Sequence, residues 1–235
     1  MGMSLQVEVW SDVVCPWCYI GKRRFEAALA RFDHRDEVTV TWRSFELDPA
    51  APPSGETAGT HVDHIAAKYG RSLADAQRMV DSVVTTAAAE DLHFRYDLIR
   101  SGNSFDAHRL LHLALEHGLQ DALKERLDRG TFTEGLPTSD HAALRALALE
   151  VGLPAADVDA VLDSDRYADA VRADEAQAQA YGISGVPFFV LGGRYGVSGA
   201  QSPDVLLAAL QQAWTDQPLV TPGGAPACDG DSCAV

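Results

Sequence analysis

The chain has 235 residues, 46% of them apolar, which is enough to bury a sizeable core and excludes global disorder. Its net charge of −15 excludes the basic footprint of a nucleic-acid binder and disfavours docking on an anionic membrane surface. No stretch of about 18 apolar residues offers a transmembrane helix, and Met1–Trp10 lacks the basic and apolar segments of a secretory signal, so a cytoplasmic location is expected.

Leu5-Gln6-Val7-Glu8-Val9-Trp10 alternates apolar and polar side chains, which predicts a strand. Ser11-Asp12-Val13-Val14 breaks that alternation. Pro16 sits where the first turn of a helix tolerates it, and Cys18 to Phe32 carries apolar residues at helical spacing. Val38 to Leu47 is β-branched and aromatic and predicts a second strand. Residues 49–60 read as a connector. From there to about Gly182 the pattern is helical, with Leu73–Ala87 capped by Ser72 and further helices over 105–117, 119–127, 141–151 and 166–181. Val186 to Leu191 restores a strand, Gly192-Gly193 a hairpin turn and Arg194–Val197 its partner. Ser202-Pro203 opens a last amphipathic helix.

Strands at both ends with helices between predict one α/β domain carrying a helical insertion, because neither end alone has strands for a stable sheet. The expected division is 1–50 and 166–215 for the two parts of the α/β domain, 51–165 for the all-helical insertion, and 216–235 for a tail.

The four cysteines form two close pairs, Cys15/Cys18 and Cys228/Cys233. In Cys15-Pro16-Trp17-Cys18 the first cysteine stands at a predicted helix start, where free N–H groups and the helix dipole favour a thiolate. Disulfide exchange needs such an attacker and a second thiol close enough to resolve the mixed disulfide. Cys15 is therefore the expected nucleophile and Cys18 the resolving thiol, with Pro16 and Trp17 shaping the turn. A zinc site is the competing reading, since the second pair would complete four ligands, but a strand-to-helix junction is not a zinc knuckle; no metal is expected. Gly185-Val186-Pro187-Phe188 places a proline at a strand entrance, and a cis Val186–Pro187 bond facing Cys15 would leave the Val186 backbone free to pair with an extended substrate.

The tail pair, Cys228-Asp229-Gly230-Asp231-Ser232-Cys233, reads as an auxiliary redox pair, with the flanking aspartates opposing thiolate formation. An incidental terminal pair is the plainer alternative. His108 and His112, and His61 and His64, have helical spacing, but surface or groove positions explain them better than metal binding. Asn103, His108 and Arg109 are candidates for a substrate groove, with helix capping and packing as the alternative.

Cys15-Pro16-Trp17-Cys18, Asn103-Ser104-Phe105-Asp106-Ala107-His108-Arg109-Leu110, Ile183 to Phe189 and Val197-Ser198-Gly199-Ala200-Gln201 together resemble the DsbA family, within it the FrnE-like proteins, over about residues 5–215. The resemblance implies a thioredoxin-like fold interrupted by an inserted all-helical domain. It makes Cys15 the nucleophile, Cys18 the resolving cysteine and Pro187 a cis proline. FrnE-like relatives can carry a tail pair like Cys228/Cys233. The implied activity is disulfide exchange with protein or peptide thiols, as oxidase, reductase or isomerase. It uses no cofactor beyond the redox-active disulfide, and glutathione or a thioredoxin system is the electron partner. The alternative is a glutathione-dependent isomerase or transferase of the 2-hydroxychromene-2-carboxylate isomerase or kappa type, which generally has serine where Cys15 stands. A chaperone using an apolar groove without catalysis is a third reading.

Overall fold

The computed structural model describes residues 4–54, 59–100 and 102–216. The first strand, β1 (Leu5–Ser11), is followed by α1 (Pro16–Ala30) and β2 (Val38–Ser44). Seven helices come next: α2 (His61–Tyr69), α3 (Leu73–Ala88), α4 (Phe105–Glu116), α5 (Gln120–Arg129), α6 (His141–Glu150), α7 (Ala155–Leu162) and α8 (Ala168–Ala180). A hairpin of β3 (Phe188–Leu191) and β4 (Tyr195–Ser198) and the helix α9 (Pro203–Thr215) complete the described chain. The sheet order is β2-β1-β3-β4, with β1 parallel to β2 and antiparallel to β3.

The central strand explains the layering. Leu5, Val7 and Val9 pack on one face of the sheet with Phe25, Ala28 and Phe32 of α1 and Leu206, Leu210 and Ala213 of α9. Burying each such side chain contributes about 1.5–3 kcal/mol. Trp10 faces the other way, onto Ala178, Ile183 and Val190, and donates its indole N–H to the Asp174 carbonyl at 2.9 Å. The sheet is thus covered on both sides, as a strand with few exposed positions requires.

A second core holds the helices together, with Leu110, Leu113, Leu123, Leu127, Leu144, Val158 and Val161 among its buried members. Val13, from the turn after β1, belongs to this cluster too, so the turn that leads to Cys15 is packed by the helical part. The predicted elements recur: α1 begins at Pro16, the residue read as its first turn, and ends at Ala30 rather than Phe32, while β2 stops at Ser44 rather than Leu47. The connector gives way to α2 at His61, where Thr60 and Asp63 form a reciprocal capping box. Ser72 caps α3 by accepting from the Asp75 N–H at 3.1 Å.

Candidate active site

Cys15 is the N-cap of α1 and Pro16 its first helical residue, where the missing N–H leaves nothing unpaired. The Cys18 N–H donates to the Cys15 carbonyl at 3.0 Å, which closes the first turn and holds the cysteines side by side. Both are free thiols. Cys15 retains 4% exposure and Cys18 none, while Trp17 between them is 40% exposed. The outer thiol is therefore the one a second molecule can reach.

Val186–Pro187 is a cis peptide bond, as its position before the strand predicts. The Val186 carbonyl lies 3.7 Å from Cys15 Sγ. The Pro187 loop is braced from two sides. The Gly199 N–H donates to the Pro187 carbonyl at 2.8 Å, at a φ of +80° that favours glycine. Arg24 of α1 donates to the Ala200 carbonyl at 2.7 Å. Gly21, one turn beyond Cys18, gives the loop room: a Cβ there would meet Pro187 Cγ at 2.8 Å.

Asp12 ties the turn together. Its carbonyl accepts from the Cys15 N–H at 3.4 Å, and its own N–H points at Cys18 Sγ, 3.5 Å away. Its carboxylate accepts from the N–H groups of Val14 and Leu47 at 3.4 and 2.8 Å. Burial works to raise the Asp12 carboxyl, but His108, the Leu47 N–H and Ser104 outweigh it and hold the group below the usual carboxylate range. Burial, the adjoining Cys15 sulfur and its hydrogen bond push the Cys18 thiol well above its ordinary value, against an opposing pull from Lys124.

Of the other sequence candidates, Asn103 is a cap: its Oδ1 accepts from the Phe105 N–H at 2.9 Å, and its Nδ2 donates to the Pro49 carbonyl at 3.1 Å. His108 and Arg109 wall no open groove, being 1% and 4% exposed. Arg109 instead donates to the carbonyls of Val161, Ser164 and Arg166 and pairs with Asp106, which pins α4 to the end of α7. His112 meets Ser44 Oγ at 3.1 Å and Asp174 at 3.2 Å, so it is a packing residue and not a surface one. Cys228 and Cys233 lie outside the described residues. Among the described residues no cluster of His, Cys, Asp or Glu could hold a metal ion.

An open cavity of about 640 Å³ lies on the α2–α3 side, lined by His61, Leu73, Gln77, Val80 and Tyr96 among others. Burial and the Cys15 charge raise the Tyr96 phenol, which sets this wall within electrostatic reach of the outer thiol.

A paired-cysteine helix start, facing a cis-proline loop on a mixed four-stranded sheet, defines a thioredoxin-fold protein. The chain belongs to the DSBA-like thioredoxin domain family, whose sequence model matches residues 6–211. It is similar to the crystal structure of a probable DsbA oxidoreductase from Streptomyces coelicolor, at 47% identity and a TM-score of 0.86, covering 98% of this chain and 99% of that one. An uncharacterized protein, YwbO, of Bacillus subtilis is 28% identical over 220 residues, covering 88% of this chain and 96% of its own. In fold alone it is similar to the cytosolic disulfide reductase DsbM of Pseudomonas aeruginosa with GSH (18% identity, TM-score 0.62, covering 89% and 99%). A 2-hydroxychromene-2-carboxylate isomerase shares that fold likeness (14%, 0.63, covering 88% and 95%).

Proposed function

We propose that the protein is a thiol–disulfide oxidoreductase that works through Cys15 and Cys18, and that within the family it belongs with the FrnE-like proteins. The observation that carries this reading is the asymmetry of the pair. Cys15 caps α1 and keeps 4% of its surface exposed, and Cys18 lies fully buried one turn inside. Cys15 attacks a substrate disulfide, with the helix N-terminus favouring its thiolate. The Val186 backbone and Trp17 position the substrate chain. Cys18 then attacks Cys15 Sγ and releases the substrate thiol.

Protein or peptide thiols and disulfides are the substrates in this reading, with glutathione or a thioredoxin system returning the electrons. The redox-active disulfide is the only group the reaction needs. Residues 1–50 and 166–215 supply the thioredoxin-like part and 51–165 the helical insertion that covers it. The Cys228/Cys233 pair serves as an auxiliary redox pair.

The test is a redox titration in glutathione buffers followed by tryptophan fluorescence. The expected result is one reversible two-electron transition, lost in Cys15→Ser, while Cys18→Ser accumulates mixed disulfides. Full exchange activity in Cys15→Ser would overturn the reading. Turnover that depends on bound glutathione but survives Cys18→Ser would instead favour the isomerase or transferase alternative.

A further inference from the structure

His108 is a deeply buried titratable group that the exchange reaction leaves unused. It is 1% exposed, and neither ring nitrogen meets a well-aligned hydrogen-bond partner among the described residues. Such an orphan is costly in a protein interior. Its Nε2 lies 3.4 Å from Asp12 Oδ1, an ion pair when the ring is protonated. Asp12 is itself fully buried, and its backbone N–H points at Cys18 Sγ. A histidine on α4, an aspartate on the turn after β1 and the inner thiol of α1 are thus stacked in one buried column.

We propose that His108 is a positioning residue for the resolving thiol: by matching the carboxylate of Asp12, the residue whose backbone N–H faces Cys18 Sγ, it keeps that residue's charge from opposing the Cys18 thiolate. The inference rests on the assignment of Cys18 as the resolving cysteine. The step it assists is balanced. Cys18 loses its thiol proton to solvent. The thiolate attacks Cys15 Sγ of the mixed disulfide, the Cys15–Cys18 bond forms, and the substrate sulfur leaves as a thiolate with the electron pair.

The electrostatic logic follows from what surrounds the thiol. A like charge disfavours ionisation and an opposite charge favours it. Cys15 faces Cys18 from α1, and Lys124 acts on it from α5. Ser104 faces Asp12 from the residue before α4. Glu46, just after β2, acts on His108 and is held by Arg172 of α8. With the imidazole in place, Asp12 Oδ1 has His108 Nε2 as its partner at 3.4 Å, and the carboxyl is held low. With a neutral amide there, the carboxylate loses that partner, on the residue whose N–H faces a thiol that must become an anion.

The experiment is a single-turnover reaction of the reduced full-length protein with the aromatic disulfide dithiobis(nitrobenzoate), in a background with Cys228 and Cys233 replaced by serine. The first thionitrobenzoate reports attack by Cys15 and the second reports attack by Cys18. His108→Gln should leave the first phase unchanged. It should slow the second about tenfold at neutral pH and move its pH profile up by about one unit, the equivalent of that factor. Adding Asp12→Asn should restore the second phase. His108→Asn carries the same expectation if the glutamine variant does not fold. An unchanged second phase, an equal slowing of both phases, or no rescue by Asp12→Asn would overturn the proposal. A second equivalent still released by Cys18→Ser would overturn the underlying assignment of Cys18 instead.

Discussion

At the residue scale, a second buried ion pair sits close to the site. Lys124 and Asp128, both with no exposure, are hydrogen-bonded within α5 at 2.6 and 2.5 Å. Burial pushes the Asp128 carboxyl up to about 6, although Lys124 pulls it down. A carboxyl raised from its ordinary 3.8 stabilises the fold while it is protonated, and that contribution is lost as the pH rises through 6. Removing one partner strands the other charge, so Asp128→Asn should destabilise the protein by about 3–5 kcal/mol. Replacing both, as Lys124→Met with Asp128→Leu, should be neutral or stabilising by about 1–4 kcal/mol. It should also remove the loss of stability between pH 4 and 6. Urea unfolding of the two variants across that pH range checks both expectations.

At the scale of elements, the contact that matters is between α1 and the Pro187 loop. Gly21 is in mid-helix, where alanine is worth up to about 1 kcal/mol of helix propensity. The Cβ it would add meets Pro187 Cγ at 2.8 Å and Ala200 Cβ at 3.5 Å. Overpacking of this kind costs about 1–3 kcal/mol, so the clash wins. Gly21→Ala should lower the stability by about 1–2 kcal/mol. It should also reduce disulfide exchange more than tenfold, because the loop that faces Cys15 is displaced. Thermal unfolding and an insulin-reduction assay together check the pair of effects. Gly21 shows what sequence periodicity hides: an isolated glycine in a helical pattern marks a close approach, but nothing local says to what.

The legible parts were those with local signals. The cysteine pair, Pro16 and the strand–helix–strand opening carry their own chemistry, as does the double-glycine hairpin. Asp12 was visible only as an interruption of a strand, because its partners Leu47 and His108 are 35 and 96 positions away along the chain (47 − 12 and 108 − 12). The burial of His108 and Arg109 was illegible for the same reason. Each looks polar enough for a groove, and only the packing of α4 against its neighbours puts both inside. The helix α7 carries little local signal, being just eight residues long with an N-cap, Pro154, that offers no side-chain oxygen.

At the scale of the whole molecule, the question is whether the helical segment folds as a separate unit. The two parts share buried and half-buried polar contacts. The Gln120 side chain caps both backbone groups of Trp42, at 2.9 and 2.8 Å, and Asp121 accepts from the Trp42 indole at 3.0 Å. Lys22 and Arg23 of α1 pair with Asp121 and Glu125 of α5. Val13 is buried in the helical core, and His108 reaches Asp12 from the other direction. An interface this interlocked favours one cooperative unit over two that open independently. The tryptophans make this measurable. All four, Trp10, Trp17, Trp42 and Trp214, lie outside residues 51–165, while α2 to α7 lie within them. In urea, fluorescence therefore reports the sheet-bearing part and far-UV circular dichroism weighs the helical part heavily. The two curves should superimpose, with one midpoint. A helical signal that fell first, leaving fluorescence unchanged, would show that the segment opens on its own and that the contacts around Trp42 are too weak to couple the parts.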